Sequence, residues 1–336
     1  MRDQFPELAD IPPALDGSTF MKAPPARRRD LKPGQIAVIG LPWEGTKVSR
    51  LGCRFGPRAI REASYVSAYL LHALEGGGIV DMKTGEVLTP ANRHEMVDLG
   101  DLGLFQADVH ETMRVIRDAL ADIVRAGAFP VVLGGDHFIS YPAIQGVIAG
   151  LAAAEGAKLG YLHIDAHMDL LDELPHFGKL SSGSQVRRLV DDGCLDPAHM
   201  LMIGIGGALP KVEVDFALSA GIGLLRRHEL QEASDLAGLV RAAVAERMAG
   251  CSHIYLTIDI DVNDRSFAPG TGAAGAVGGL LPSEFIAVLA ELRGLPLVAV
   301  DIVEVAPNLD PSGRTAALAV TALTTVLEDK LFDRSA

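Results

Sequence analysis

Short runs of apolar and β-branched residues recur along the chain, and segments of helical length separate them. Several runs are apolar at consecutive positions, as a parallel strand covered by helices on both faces must be. The intervening segments carry an apolar residue every three or four positions, as amphipathic helices do. This alternation predicts an α/β fold wound around a mostly parallel sheet. The runs are IAVIGL (36–41), MVDL (96–99), PVVLGG (130–135), LGYLHID (159–165), LMIGIG (201–206), IYLTIDID (254–261) and LVAVDIVEV (297–305).

Length and composition favour one large domain. The 336 residues, 49% of them hydrophobic, are enough to bury an extensive core. Because a Pro- and Arg-rich stretch at 23–34 precedes the first apolar run, we expect an N-terminal extension over 1–34 and a single domain over 35–336. The segment 75–90 interrupts the alternation and indicates a small hairpin or loop insertion, turned at KTGE, that contributes an edge.

Charge and cysteine content exclude several classes of function. Forty-three acidic and thirty basic residues give a net charge of −13, which offers no general attraction to nucleic acids or anionic membranes. The three cysteines lie far apart without CxxC spacing, which is typical of reduced thiols in a cytoplasmic protein. The segment 1–10 lacks the features of a signal peptide, and the uncharged stretch 138–154 indicates a buried helix rather than a membrane span.

Ionisable side chains cluster where three of the apolar runs end. Ligands of an open parallel sheet bind outside the carboxyl ends of its strands, so these positions are candidates for a site. Residues two apart in an extended chain point the same way, and side chains on neighbouring strand ends meet at one edge. We therefore expect six side chains to converge there: His137, Asp165, His167, Asp169, Asp259 and Asp261.

Such a cluster predicts a pair of divalent metal ions. Four carboxylates in one apolar site repel each other, and two divalent cations balance their charge. Four carboxylates and two imidazoles suit Mn²⁺, and the imidazoles also admit Ni²⁺, Co²⁺ or Fe²⁺. No cysteine lies near this cluster in the sequence, which excludes a zinc–thiolate site. We expect two ions per chain, Mn²⁺ before Ni²⁺, with Asp136 and His163 in structural hydrogen bonds.

The motifs resemble those of the ureohydrolases, the arginase and agmatinase family. The matching stretches are GGDH, DAHMD, IDIDVNDRSFAPGTG and DIVEVAP, and the segment GLPWEGTKVSRLGCRFGPRAIREAS (40–64) is similar to the agmatinase branch. The resemblance implies a three-layer α/β/α domain around an eight-stranded sheet, a binuclear Mn²⁺ centre, and a trimer or hexamer. It also implies two ligand sets that share two bridging carboxylates: His137, Asp165, Asp169 and Asp259 for one ion, and His167, Asp165, Asp259 and Asp261 for the other.

The implied chemistry is hydrolysis of a guanidino compound. A guanidinium carbon is electron-rich, so water must become a strong nucleophile, and two cations that share a water lower its pKa enough to supply hydroxide. The hydroxide adds to the carbon, and urea or a substituted urea leaves with an amine. The cationic substrate needs an anionic, planar partner. Glu304, in VEVAP, resembles the guanidinium-binding glutamate of the family.

The sequence departs from the family in the loop after DAHMD. A histidine that most relatives use for proton transfer is replaced by Ser182, in SSGSQVRR, and serine cannot replace imidazole as an acid or base. His176 in the same loop, or Asp169, is expected to carry the proton instead. Arg265 stands where family members have a proline, and the loop 273–279 also differs.

These departures leave the substrate open. Ser182 frees space beside the metals, and Arg265 is a candidate partner for a substrate carboxylate. The sequence is compatible with 4-guanidinobutyrate-type acids and with compact or alkylated guanidines and biguanides. Because SSGS is close to the motif of formiminoglutamases, a formimidoyl hydrolase is an alternative.

A non-catalytic structural or regulatory subunit is an alternative of another class, and Ser182 is its support. Against it, a chain without catalysis has no physical need for clustered carboxylates that destabilise the metal-free fold. The expected partners are a small guanidino or amidine substrate and other subunits. We expect a homo-oligomer of identical subunits, and a hetero-oligomer with a paralogous chain is the alternative.

Overall fold

The computed structural model of the chain describes residues 18–47, 49–68, 78–82, 85–90, 95–152, 156–273 and 277–335. The stretch 1–10, two residues of the expected KTGE turn (83–84) and residues 274–276 of the divergent loop lie outside the described residues.

The strands form one large sheet and one small sheet. The large sheet has eight parallel strands in the order β4-β1-β5-β10-β9-β6-β7-β8, and the small antiparallel sheet has the order β11-β3-β2. In chain order the strands are β1 (Ile36–Leu41), β2 (Ile79–Val80), β3 (Val87–Pro90), β4 (Met96–Asp101), β5 (Phe129–Gly134), β6 (Leu159–Ile164), β7 (Met200–Ile205), β8 (Gly223–Arg226), β9 (His253–Asp259), β10 (Leu297–Val303) and β11 (Phe332–Ser335).

Helices cover both faces of the large sheet. One face is covered by α2 (Val109–Arg125), α3 (Ser140–Leu151), α4 (Gln185–Asp191) and α5 (Lys211–Ala220). The other face is covered by α1 (Gly56–Ala63), α6 (Arg227–Glu232), α7 (Leu236–Arg247), α8 (Pro282–Ala290), α9 (Arg314–Val326) and α10 (Glu328–Leu331). Among the helices of the described ranges, none is both long and apolar enough to cross a membrane.

Alternation along the strands divides the core into two halves. On β6, Leu162 and Ile164 pack into one hydrophobic cluster and Tyr161 into the other. Successive strand residues point to opposite faces, so a strand with apolar residues on both faces must be covered twice. The expected three-layer α/β/α fold around eight parallel strands is confirmed.

Two details go beyond the sequence-based expectation. All seven apolar runs form strands, but the eighth, β8, has only four residues and gave no clear signal. The hairpin expected in 75–90 forms as β2 and β3, and the edge that it contributes belongs to the small sheet rather than to the large one. The hairpin pairs with β11, because the end of the chain returns beside it.

The described part of the expected N-terminal extension packs on the domain. Phe20 is fully buried, and its N–H donates to Asp98 Oδ2 over 2.7 Å. The N–H of Met21 donates to Ser64 Oγ over 2.7 Å. These contacts attach residues 18–34 to β4 and to the end of α1, while the boundary at residue 34 stays a prediction.

Candidate metal centre

Four adjacent strands in the middle of the sheet carry the candidate site. These strands are β5, β10, β9 and β6 in spatial order, and all of them run parallel. His137 follows β5, Glu304 follows β10, Asp259 ends β9 and Asp165 follows β6. Because the carboxyl ends of parallel strands meet at one edge, residues distant in the sequence become neighbours there.

His137 and three carboxylates form the first group of the site. The Nδ1 atom of His137 lies 3.0 Å from Asp165 Oδ2, 3.1 Å from Asp169 Oδ2 and 3.3 Å from Asp259 Oδ2. Neighbouring ligands around a six-coordinate ion, with bonds of about 2.1 Å, are about 3 Å apart. The spacing is therefore that of a ligand shell, and all four side chains are buried.

His167 forms the second group with two carboxylates. Its Nδ1 lies 3.3 Å from Asp165 Oδ1 and 3.1 Å from Asp261 Oδ2. Asp165 thus presents one oxygen to each group, as a bridging ligand does. Asp259 lies against His137, and its role as the second bridge stays a prediction. The His167 side chain is 33% exposed, so this group faces the mouth of the site.

Carboxylate-capped turns, not extended strands, bring these side chains together. Strand β6 ends at Ile164, and Asp165 Oδ1 accepts a hydrogen bond of 2.6 Å from the N–H of His167. Asp259 Oδ1 accepts one of 2.8 Å from the N–H of Asp261. The expectation that an extended chain would align these residues was therefore wrong. Asp side chains commonly bond to the backbone two residues further on, and this turn produces the convergence.

Buried polar atoms in both groups lack hydrogen bonds within the described chain. They are His137 Nδ1, Asp165 Oδ2 and Asp261 Oδ2. Each lies within 3.3 Å of an oppositely charged or ligating atom, yet none of these contacts is a hydrogen bond. Most buried polar atoms in proteins do have a partner. These three unpartnered atoms lie in two adjacent groups, which fits a site for a pair of cations.

The electrostatics of the cluster support the same interpretation. Burial raises the pKa of Asp259 well above its usual range, and the carboxylates of Asp261 and Asp165 add to the effect. Burial alone would also raise the pKa of Asp165, but the imidazoles of His137 and His163 hold that pKa well below its usual range. Without other cations the cluster must therefore bind protons. Divalent ions would replace those protons.

A chain of hydroxyl groups fixes the orientation of His137. Its Nε2 lies 2.9 Å from Thr257 Oγ1, and that hydroxyl donates to the buried carboxylate of Asp301. Asp301 also accepts from Ser140 Oγ and from Tyr255 OH. Because the Thr257 hydroxyl donates to Asp301, it accepts the Nε2 proton of His137, so that a deprotonated Nδ1 would direct its lone pair at the first group of carboxylates. Outer partners of this kind orient a metal ligand.

We expect Thr257→Val to weaken metal binding about 10- to 100-fold, because valine cannot accept the proton of His137 Nε2. Titration of the metal-free protein with Mn²⁺ measures the change. Thr257→Ser should restore the affinity, and Thr321→Val, on the surface of α9, serves as the control. Unchanged affinity in Thr257→Val would contradict a role for this hydroxyl.

Asp136 and His163 lie beside the centre in hydrogen bonds, in keeping with the structural roles we expect for them. Asp136 Oδ2 accepts from the N–H and hydroxyl of Thr46. His163 is near enough to His137 and Asp165 to join a metal group. However, its Nδ1 contacts Tyr161 OH at 3.0 Å, and its Nε2 contacts the carbonyl of His167 at 3.1 Å. Both nitrogens of His163 are therefore in use.

Glu304 reaches the edge of the centre in a conformation rare for its residue type. Its backbone φ is +68°, and such strain is found mainly at functional sites. Its Oε1 accepts from the N–H of His137 over 3.0 Å, and its Oε2 accepts from the buried ammonium of Lys47. Burial raises the pKa of Glu304, and Lys47 opposes that rise.

The remaining predicted residues lie on loops. Ser182 is buried and faces the carbonyl of Thr46 at 3.5 Å, which joins its loop to the 40–64 segment. His176 is exposed, on a turn with φ of +69°. Arg265 is half-buried and donates to the carbonyl of Ala273. Their roles in proton transfer and substrate binding stay predictions.

Sequence reasoning missed three residues of this site. Lys47 lies inside the segment 40–64 that resembles the family, but its neighbours in the sequence give no sign that its side chain is buried. Thr257 and Asp301 are polar residues within apolar strands, at 0% exposure. Polar residues inside strands of this kind were the available signal, because burial requires a hydrogen-bonding partner for each.

Comparison with known proteins identifies the family. The sequence model of the Arginase family matches residues 34–328. The chain belongs to the arginase family. Guanidinopropionase of Pseudomonas aeruginosa is 32% identical over 318 residues, which cover 94% of this chain and 92% of that protein. The mitochondrial guanidino acid hydrolase of Homo sapiens is 35% identical over 291 residues, with coverage of 85% and 76%.

The fold agrees with solved structures of the arginase family. Proclavaminate amidino hydrolase from Streptomyces clavuligerus has a TM-score of 0.78 and 30% sequence identity, with coverage of 93% of this chain and 96% of that one. The predicted family is confirmed, and so is the predicted class, a metal-dependent amidinohydrolase. The His/Asp cluster is compatible with the divalent metal pair of arginase-family proteins.

Proposed function

We propose that this chain hydrolyses a C–N bond of a guanidino compound at a pair of divalent ions, releasing urea or a substituted urea and an amine. One observation carries the proposal: the Nδ1 atoms of His137 and His167 face opposite oxygens of the same carboxylate, that of Asp165. Relatives named guanidinopropionase, guanidino acid hydrolase and agmatinase support the substrate class.

The two ligand groups would hold the ions, as the sequence implies: His137, Asp165, Asp169 and Asp259 for one, and His167, Asp165, Asp259 and Asp261 for the other. When bound, two divalent ions would supply Lewis acidity and lower the pKa of a water molecule, which makes it a stronger nucleophile. Carboxylates and imidazoles together suit Mn²⁺, with Ni²⁺ as the second choice.

The protein side chains bind and orient the substrate. Glu304 offers its carboxylate to the guanidinium, which is held over the metal groups by planar, charge-assisted hydrogen bonds. The oxygen of water adds to the central carbon, one C–N bond breaks, and a proton must reach the departing amine. Asp169, which lies in the first group, and His176 are the candidates to move that proton.

We infer that the enzyme acts as a homo-oligomer, a trimer or hexamer, in the cytoplasm. A hetero-oligomer with a paralogous chain is the alternative. Sedimentation of the purified protein with and without metal decides its subunit number. A stable monomer with full activity would contradict this inference.

The test of the proposed function is a substrate panel assayed with each metal. We expect about two metal ions per chain and release of urea from at least one guanidino compound. Because SSGS is close to the formiminoglutamase motif, the panel includes formiminoglutamate with formamide as the readout. Formamide release alone would favour that alternative. Full metal content without hydrolysis of any compound would favour a non-catalytic subunit.

A further inference from the structure

Lys47 places a buried cation beside the predicted guanidinium partner. Its side chain is only 3% exposed, and its ammonium donates to Oε2 of Glu304, which is 2% exposed. An ammonium has three N–H donors. One of them is used by Glu304, and no other hydrogen bond of Nζ occurs within the described ranges. Buried donors without partners point to a ligand, since leaving them unpaired costs free energy.

Contacts on both sides hold Lys47 in place. Before it, the N–H of Thr46 donates to Asp136 Oδ2 over 3.1 Å. After it, the N–H of Arg50 donates to the carbonyl of Gly272 over 3.2 Å. Gly272 also makes room for the lysine, because a Cβ atom at that position would lie 2.9 Å from Lys47 Cε. The position of Lys47 is therefore built into the fold.

The ion pair leaves Glu304 able to bind a substrate. A carboxylate has about four lone-pair positions. The N–H of His137 and the ammonium of Lys47 use one on each oxygen. The two remaining positions match the parallel N–H groups of a guanidinium. The site thus offers an acceptor and a donor side by side, with opposite charges.

We propose that Lys47 binds the carboxylate of a short guanidino acid while Glu304 binds the guanidinium of the same molecule. This assignment rests on the proposed function and narrows its substrate class. Lys47 and Glu304 are in contact, so the two charges of the substrate must also be close, which favours a spacer of one or two methylene groups. A substrate with a terminal amine, such as agmatine, would bring a second cation towards Lys47 and is disfavoured.

The experiment compares acids with neutral substrates of equal length. The metal-loaded protein is assayed for urea release from guanidinoacetate and ethylguanidine, and from 3-guanidinopropionate and propylguanidine. We expect kcat/KM to be about 10- to 100-fold higher for each acid, the effect of a hydrogen bond to a charged group. In Lys47→Met the ratio of kcat/KM for the acid to kcat/KM for the alkylguanidine should fall at least about tenfold.

Two further variants separate Lys47 from other cations. Lys211→Met, on the exposed surface of α5, should keep the ratio of the unmodified protein. Arg265→Met tests the arginine expected from the sequence. A ratio that collapses in Arg265→Met and persists in Lys47→Met would overturn the assignment to Lys47.

If Lys47→Met fails to fold, measurements on the unmodified protein alone can still test the role of Lys47. Equal kcat/KM for acid and alkylguanidine would overturn the role of Lys47 and leave the proposed function intact. Absence of urea release from every guanidino compound would overturn both.

Discussion

Asp165→Asn is expected to remove bound metal and hydrolysis together. Asp165 is the one carboxylate that contacts both imidazole groups within the described chain, and asparagine has neither its charge nor a second oxygen. Loss of about 4 kcal/mol of charge stabilisation corresponds to about a thousandfold in rate. We expect fewer than about one ion per chain by elemental analysis and no measurable urea release.

The substitution should leave the fold intact. The amide oxygen of asparagine can still accept from the N–H of His167, so the turn after β6 is retained. Circular dichroism checks this point. Asp172→Asn is the matched control, because Asp172 is an exposed acid of the following loop. An Asp165→Asn variant with two ions and normal turnover would contradict the bridging role.

Glu304→Gln is expected to affect both activity and stability. Glutamine keeps an oxygen for the N–H of His137 but leaves the buried ammonium of Lys47 without a counter-ion. Breaking a buried ion pair from one side costs about 3 to 5 kcal/mol of unfolding free energy. Loss of the charged partner should lower kcat/KM at least about a hundredfold with metal content unchanged.

The double variant Lys47→Met/Glu304→Gln separates these two effects. Removing both charges should recover most of the unfolding free energy, because no isolated charge remains buried. Denaturation in increasing concentrations of urea measures this free energy. Activity should not recover, because the guanidinium partner is still missing. Recovery of activity together with stability would show that Glu304 acts only through Lys47.

The main features of the fold could be predicted because they depend on hydrophobic patterns that extend over whole strands and helices. A run such as IAVIGL is apolar on both faces, and only a parallel strand between two helical layers buries such a run. The clustering of the candidate ligands was predictable for a related reason. His137, Asp165 and Asp259 each follow an apolar run, and the rule for strand ends then places them together.

The remaining features depend on contacts between distant segments. Lys47 is 257 residues from Glu304 in sequence, and nothing local indicates that its ammonium is buried. The four-residue strand β8 is too short for alternation to identify. Similarly, the convergence of Asp165 and His167 was predicted from the wrong backbone conformation, since a turn stabilised by the Asp side chain is hard to distinguish from a strand by spacing.

The order of the central strands has a consequence for the way the protein folds. Strand β5 is beside β10, and β9 is beside β6, so the candidate metal ligands come from segments that are far apart in the chain. Long-range pairings form late, since their closure entropy must be overcome first. High affinity for metal should therefore arise only after β9 and β10 have inserted between β5 and β6. Metal uptake during refolding would then report completion of the sheet. A nascent chain that ends before β9 would not bind metal ions tightly.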